Sequence, residues 1–295
     1  MKLANLAGRA VLVTDAGAVD VERASGGAFG PEVQPLYERW SDLRAWADGP
    51  DGPGGHDGRG GPDGPGGAAA AAEPYDEGDL RSPAPEPRQV FGIGINYRAH
   101  AAETGKDVPA VPATFTKFPS SLAGPFDPVR AVNDTVDWEV ELVVVIGRRC
   151  DAVAEGDGWA HVAGVTVGQD ISDRTLQVAA GAQFSLGKSH RGFGPMGPWL
   201  VTPDELPDRD DLALGCSVDG EVVQDGRTGD LVVGVPALIA RLSAVVTLLP
   251  GDVIFTGTPP GVGVARTPPR FLRPGQVLES WIDGVGRIRN AIVAP

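Results

Sequence analysis

Cysteine is almost absent from this sequence. The 295 residues hold two, Cys150 and Cys216, which excludes a disulfide framework as the source of stability. Basic residues are also scarce: 25 Lys and Arg stand against 39 Asp and Glu, a net charge of −14. A chain this acidic has no general attraction for nucleic acid or for an anionic membrane surface. Any anionic substrate must be met by local cations. Long apolar runs are missing too. The longest apolar region, "LVVGVPALIARLSAVVTLLPGDVIF", is broken by Pro236, Arg241 and Pro250, so it is not expected to span a bilayer. The first residues, "MKLANLAGRAVLV", lack the apolar core and cleavage site of a signal peptide. A soluble cytoplasmic protein is the expectation.

Glycine and proline are plentiful, and they punctuate the chain. Residues 1–48 read as a small N-terminal αβ domain: a strand pattern in "RAVLVTDAGAVDVE", then a helical one with Leu36, Trp40, Leu43 and Trp46 at three- to four-residue spacing. Residues 49–87 read as a Gly/Pro/Asp-rich linker or insert that cannot fold alone. His56 lies in it and is assigned no function. Deleting the insert is expected to leave activity intact. Residues 88–295 carry short β-like runs separated by Gly, Pro and Asp turns, with a hairpin expected at Asp219-Gly220. Helical patterns are few: "YRAHAAETG", "DRTLQVAAG" and "VPALIARLSAVVTL". The fold class is therefore mostly β with a few helices, α+β.

One strand poses a problem. "DWEVELVVVIG" places Glu139 and Glu141 two residues apart, on one face of a strand whose remainder is apolar on both faces. A solvated edge strand is one explanation. The other is a hard cation (Mg²⁺, Mn²⁺ or Ca²⁺), which prefers oxygen ligands and wants a third carboxylate. Asp170, at the junction of a β-like and a helix-like run, is a candidate for that third ligand, although the same placement suits a helix cap. His100 and Glu103 stand three apart on one helix face. That spacing suits either an exposed ion pair or a base whose tautomer is fixed by a carboxylate. Lys117, Arg174 and Lys188 form a cationic set, and "GDVIFTGTPPGVG" ends a strand in a rigid loop able to present N–H groups and hydroxyls to anions. "GIGINY" has Tyr97 where a dinucleotide loop has its third glycine. No Gly-Lys-Ser/Thr phosphate loop is present either, so nucleotide binding is not expected.

Taken in order, these stretches resemble the fumarylacetoacetate hydrolase family. They are "GIGINYRAHAAETG", "FTKFPSSL", "DWEVELVVVIG", "VAGVTVGQDISDR", "GKSHRGFGPMGPWLVTPDE", "VDGEVVQDG", "LLPGDVIFTGTPPGVG" and "RPGQVLESWIDGVGRIRN", and they span roughly residues 88–293. The resemblance implies a mixed β-roll and one divalent cation held by Glu139, Glu141 and Asp170. It implies a lid-helix dyad, His100 and Glu103, that activates water, with Lys188 beside the cation. Substrate-binding groups are implied at Tyr97, Lys117, Arg174, Gln177 and Thr258. Asp137, at the strand's start, gains no role and is expected to be solvated.

Departures from the family pattern concern the substrate more than the metal. Ile93 stands where the founding enzyme has a further metal-binding Asp, so the chain resembles the shorter, three-carboxylate branch. That branch contains acylpyruvate hydrolases, oxaloacetate decarboxylases and isomerases of aromatic catabolism. Gln169, Asp173 and Thr175 replace the usual Asn, Ala and Asp, and His190 replaces an aromatic residue, to contact substrate or simply to pack. The resemblance implies a metal-dependent hydrolase that cleaves a C–C bond in a β-diketone-type 2-oxo acid. Decarboxylation, isomerisation and a non-catalytic binding role on the same fold are the alternatives. The expected partners are a small anionic 2-oxo acid and a second copy of the chain, without nucleic acid or membrane.

Overall fold

The computed structural model describes residues 1–49, 52–53, 72–179, 181 and 183–295. His56 lies outside the described residues. The apolar runs pair into one 11-stranded sheet, one of five strands and one of two. The main path of the large sheet runs Gly17–Asp20, Arg9–Thr14, Lys2–Leu6, Gly194–Val201, Val162–Gln169, Val140–Ile146, Val253–Phe255, Val90–Gly94, Ala113–Thr116. The five-stranded sheet runs Glu221–Arg227, Ala213–Val218, Val277–Ile282, Gly286–Val293, Val129–Arg130. Pairing is mainly antiparallel, with a parallel step between Val253–Phe255 and Val90–Gly94. The expected mostly-β, α+β fold is the one adopted. Among the described residues no helix is long and apolar enough to cross a membrane.

Val140–Ile146 is buried along its whole length, and two cores explain why. Val140, Leu142, Val144 and Ile146 face a cluster that includes Trp138, Trp159, Leu238 and Ile239. Val143 and Val145 face a second cluster that includes Leu3, Leu12, Tyr37 and Trp40. A strand covered on both sides loses the alternation of polar and apolar residues. The N-terminal segment supplies the second cover, and Lys2–Leu6 hydrogen-bonds directly to Gly194–Val201.

Within the linker or insert expected over 49–87, the described residues from 73 onward pack against the N-terminal strands. Leu80–Arg81 pairs with Lys2–Leu6, Glu73 bridges Ala18, and Leu80 and Ala84 are buried. Tyr37, from the N-terminal segment, ties this stretch down: its hydroxyl donates to the backbone Pro83 O at 2.7 Å. The hairpin forms as read. Val218 pairs with Glu221, and Asp219 and Gly220 take φ of 52° and 83°, the left-handed pair of a two-residue turn. Helices occur at Trp40–Ala47, Arg98–Glu103, Arg174–Ala179 and Val235–Ser243, within the four helical patterns.

Candidate active site

Strand register brings the three carboxylates together. Val140 pairs with Gln169 and Glu141 with Gly168. One step further out, Asp170 N donates to Glu139 O at 2.8 Å. Glu139 and Asp170 therefore face each other across the sheet end, with Glu141 two residues along on Glu139's side. All three are buried, and a ligand oxygen from each lies within 4.8 Å of the others.

The surrounding charges are unevenly shared. Lys188 Nζ bridges Glu139 Oε2 at 2.5 Å and Asp170 Oδ2 at 2.7 Å. Arg174 Nη2 holds Glu139 Oε1 at 2.7 Å, and its Nε holds Asp137 Oδ2 at 2.8 Å. Burial alone would raise Glu139, but Lys188 and Arg174 pull its carboxyl down to about 2. Lys188 is raised in turn: Asp170 and Glu139 outweigh its desolvation. Glu141 is the carboxylate left over. Burial first, then the charges of Asp170 and Glu139, push it well above the usual carboxylate range. Its donor is a backbone group, Gly257 N–H at 2.7 Å, and no Lys or Arg among the described residues pairs with it. An all-oxygen trio with one unneutralised member fits a hard divalent cation, so these residues could hold one.

Gly257 is required where it stands. Its φ is +105°, and an added Cβ would meet Asn96 Cβ at 2.7 Å. Asn96 braces that turn: its Nδ2 donates to Thr256 O and Val233 O at 2.8 and 3.0 Å. The sequence offered no reason to single out Asn96, because its partners are 137 and 160 residues away.

The dyad forms. His100 Nδ1 lies 2.7 Å from Glu103 Oε1, and Glu103 Oε2 accepts from Gly261 N–H at 2.8 Å. Among the described residues no group hydrogen-bonds His100 Nε2, and His100 lines the same cavity as the trio. That cavity measures about 540 Å³. A larger cleft, about 1020 Å³, opens elsewhere between Glu32, Arg81, Glu86 and Asp127. It holds neither the trio nor the dyad, so the smaller space is the candidate site.

Of the substrate-binding residues expected, Gln177, Arg174 and Thr258 line the cavity with Lys188. Arg174 is largely committed to Asp137, Glu139 and Gln177 Oε1. Thr258 Oγ1 donates to Val140 O and accepts from Gln224 Nε2. Lys117 and Tyr97, also expected there, are not among the residues lining it. Lys117 is fully buried behind the trio, and its Nζ donates to Asp170 Oδ1 at 2.7 Å, to Phe193 O at 3.1 Å and to Lys188 O. Burial lowers its pKa. Tyr97 is buried at the start of the helix Arg98–Glu103, with no partner for its hydroxyl among the described residues.

Asp137 corrects a further expectation. It is fully buried, not solvated. It accepts from Gly263 N, Val264 N and Trp138 N at 2.7, 2.9 and 2.8 Å, besides Arg174. Asp137 thus fixes the guanidinium that steadies Glu139. The departures Asp173 and His190 turn out to be partners: His190 Nε2 lies 3.1 Å from Asp173 Oδ2, and its ring packs on Phe193. Among the alternatives for His190, packing is what the geometry shows. Gln169 is also structural, accepting from Glu139 N and donating to Ser280 Oγ. Residues missed in the sequence include Phe115, Phe184, Lys106 and Arg266, all in the cavity wall.

A mitochondrial oxaloacetate tautomerase of Homo sapiens is 45% identical over 223 residues, 75% of this chain and 71% of the relative. The crystal structure of an HpcE-named protein from Mycobacterium smegmatis superposes with a TM-score of 0.89 at 49% identity, covering 100% of this chain and 99% of that one. Maleylpyruvate hydrolase from Sphingobium sp. SYK-6, solved with manganese(II) and pyruvate, gives 0.75 at 29% identity, covering 100% and 99%. Residues 89–293 match the model of the fumarylacetoacetate (FAA) hydrolase C-terminal family, and the chain belongs to that family.

Proposed function

We propose that the protein is a divalent-metal-dependent hydrolase that cleaves a C–C bond in a small β-diketone-type 2-oxo acid of the acylpyruvate class. The observation that carries this reading is the His100–Glu103 dyad set in one cavity with the Glu139, Glu141 and Asp170 trio. Mg²⁺, Mn²⁺ or Ca²⁺ suits the trio, and such a cation supplies Lewis-acid stabilisation of charge developing on a 2-oxo acid.

The chain's own groups supply the rest. Glu103 holds Nδ1–H of His100, so Nε2 is the basic nitrogen facing the cavity. Nε2 takes a proton from water, and the hydroxide adds to the distal carbonyl carbon. The C–C bond then breaks, its electron pair passes to the departing 2-oxo acid as an enolate, and the imidazolium returns the proton to that carbon. Lys188, buried and cationic beside Glu139 and Asp170, offsets negative charge near the trio. Phe115 and Phe184, in edge contact with centroids 5.8 Å apart, provide an apolar wall for the acyl chain.

A second reading is favoured by the 45% identity to an oxaloacetate tautomerase. Keto–enol interconversion needs the same base and no attacking water. The two are separated by incubating the metal-loaded protein with an acylpyruvate and with oxaloacetate. Release of pyruvate and a carboxylic acid from the acylpyruvate supports hydrolysis. Tautomerisation of oxaloacetate with the acylpyruvate untouched overturns it.

A further inference from the structure

The loop that follows Val253–Phe255 reaches both halves of the site through its own backbone. Gly257 N–H donates to Glu141 Oε2 at 2.7 Å, and Gly261 N–H donates to Glu103 Oε2 at 2.8 Å. Further along, Gly263 N–H and Val264 N–H donate to Asp137 Oδ1 and Oδ2 at 2.7 and 2.9 Å. One short stretch thus binds a carboxylate of the trio, the carboxylate of the dyad, and a third carboxylate that the proposed chemistry does not use. That third one is filled to capacity. Oδ1 of Asp137 accepts from Gly263 N and Trp138 N, and Oδ2 accepts from Val264 N and Arg174 Nε. Two carboxylate oxygens offer about four acceptor sites, so none is left for a ligand. Such bonds to a buried carboxylate are charge-assisted and strong. The next residue grips the same loop, since Trp138 Nε1 donates to Gly261 O at 3.2 Å. The approach is close: a Cβ on Gly263 would lie 2.6 Å from Asp137 Oδ1.

Glu103 divides its carboxylate between two partners. Oε1 faces His100 Nδ1 at 2.7 Å, while Oε2 is held by Gly261. The helix Arg98–Glu103 has 6 residues, too few to be stable alone, so Glu103 at its last position takes its orientation from tertiary contacts. Gly261 is such a contact, and Gly261 stands where Asp137 and Trp138 pin its loop. The tautomer of His100 follows from the bond that Glu103 makes to Nδ1.

We propose that Asp137 is a positioning residue: through the Gly261–Val264 loop it sets the geometry of the His100–Glu103 pair without a hydrogen bond to either residue. Through Arg174 the same carboxylate steadies Glu139, so one buried group serves both the base and the trio. This inference rests on the dyad reading of the proposed function, and the experiment tells the two apart. The full chain is labelled with ¹⁵N in its histidines. The ring nitrogens of His100 are read through the carbon-bound ring protons at about pH 8, above the ordinary imidazole pKa of about 6.5. His100→Ala assigns the signals. The wild type is expected to show one neutral tautomer, with the proton on Nδ1. Asp137→Asn replaces one acceptor oxygen with an NH₂ group and is expected to give a mixture of both tautomers. In the cleavage assay its kcat should fall roughly 10- to 100-fold, the cost of a misplaced catalytic group, with KM little changed. Asp173→Asn is the control. Asp173 caps the helix that carries Arg174 but has no hydrogen bond to the loop, so its loss should destabilise the fold while His100 keeps one tautomer. Where Asp137→Asn fails to fold, Val264→Pro decides: it removes one N–H donor to Asp137 at an exposed position, and it should mix the tautomers too. A folded Asp137→Asn that keeps the single tautomer, or an unchanged kcat, overturns the assignment and leaves Asp137 a structural residue. So does Val264→Pro with wild-type signals, and so does a mixture in Asp173→Asn, which marks general loosening. Mixed tautomers in the wild type overturn this inference and the dyad reading together. A wild type with one tautomer that cleaves no acylpyruvate removes the hydrolase reading alone, and the ring signals still judge Asp137.

Discussion

Replacing Lys117 with Met tests the electrostatic structure of the site from behind. The side chain is 0% exposed, and its ammonium has three acceptors: Asp170 Oδ1 at 2.7 Å, Phe193 O at 3.1 Å and Lys188 O. Methionine keeps most of the apolar stem, so little cavity forms and the change isolates the charge. Breaking a buried pair by removing one partner costs about 3–5 kcal/mol. Asp170 keeps Lys188 on its other oxygen, which places the cost at the lower end, about 3 kcal/mol. For a chain longer than 250 residues each kcal/mol moves Tm by about 2 °C, so a fall of about 6 °C is expected. The measurement is calorimetric unfolding of both proteins with the metal chelated. Manganese titration of the folded variant should also show weakened binding, because Asp170 loses the group that aims it. A Tm unchanged within 1 °C, with manganese affinity intact, would refute the argument and return Lys117 to the substrate role that the family resemblance implied.

Three further outcomes follow from particular contacts. His100→Ala should lower kcat by roughly 10²–10⁴-fold in a substrate-cleavage assay, with Tm little changed; a near-normal rate removes the dyad from the mechanism. Gly257→Ala should destabilise by more than about 1 kcal/mol, since φ is +105° and the new Cβ would lie 2.7 Å from Asn96 Cβ. Urea unfolding reads that loss directly. The Asp173 carboxyl is opposed by its own burial, yet Leu176 N–H, the neighbouring polar side chains and His190 hold it below the usual value. A depressed carboxyl contributes stability above its unfolded pKa and loses it as pH falls through the folded one. Asp173→Asn should therefore be less stable than wild type at neutral pH, and the gap should close as the pH is lowered below 4, which a series of melts against pH would reveal.

Much of the site was legible from spacing. Glu139 and Glu141 two apart and His100 and Glu103 three apart are local relations, set by strand and helix geometry wherever the segments lie. Asp170 was harder, because a helix cap explains an Asp in that place equally well. Register decided it: the Val140–Gln169 pairing carries Asp170 opposite Glu139. Asp137 was misread for the same reason. It lies on the acidic strand, but its burial depends on Gly263 and Val264, 126 and 127 residues away.

By itself the sequence determined what short-range geometry controls: the class of fold, the hairpin at Asp219-Gly220, the helical segments and the pairs of catalytic type. Only the tertiary structure decided which cations line the cavity and which are buried in ion pairs behind it. Lys117 reads as a free lysine until Asp170, 53 residues on, folds against it. Arg266, which the sequence did not single out, is held in the cavity wall by the carbonyls of Gly261 and Val223. A charge's role depends on its neighbours' charges and on its exposure to water. Both are set by segments distant in the chain, so neither is encoded at the residue itself.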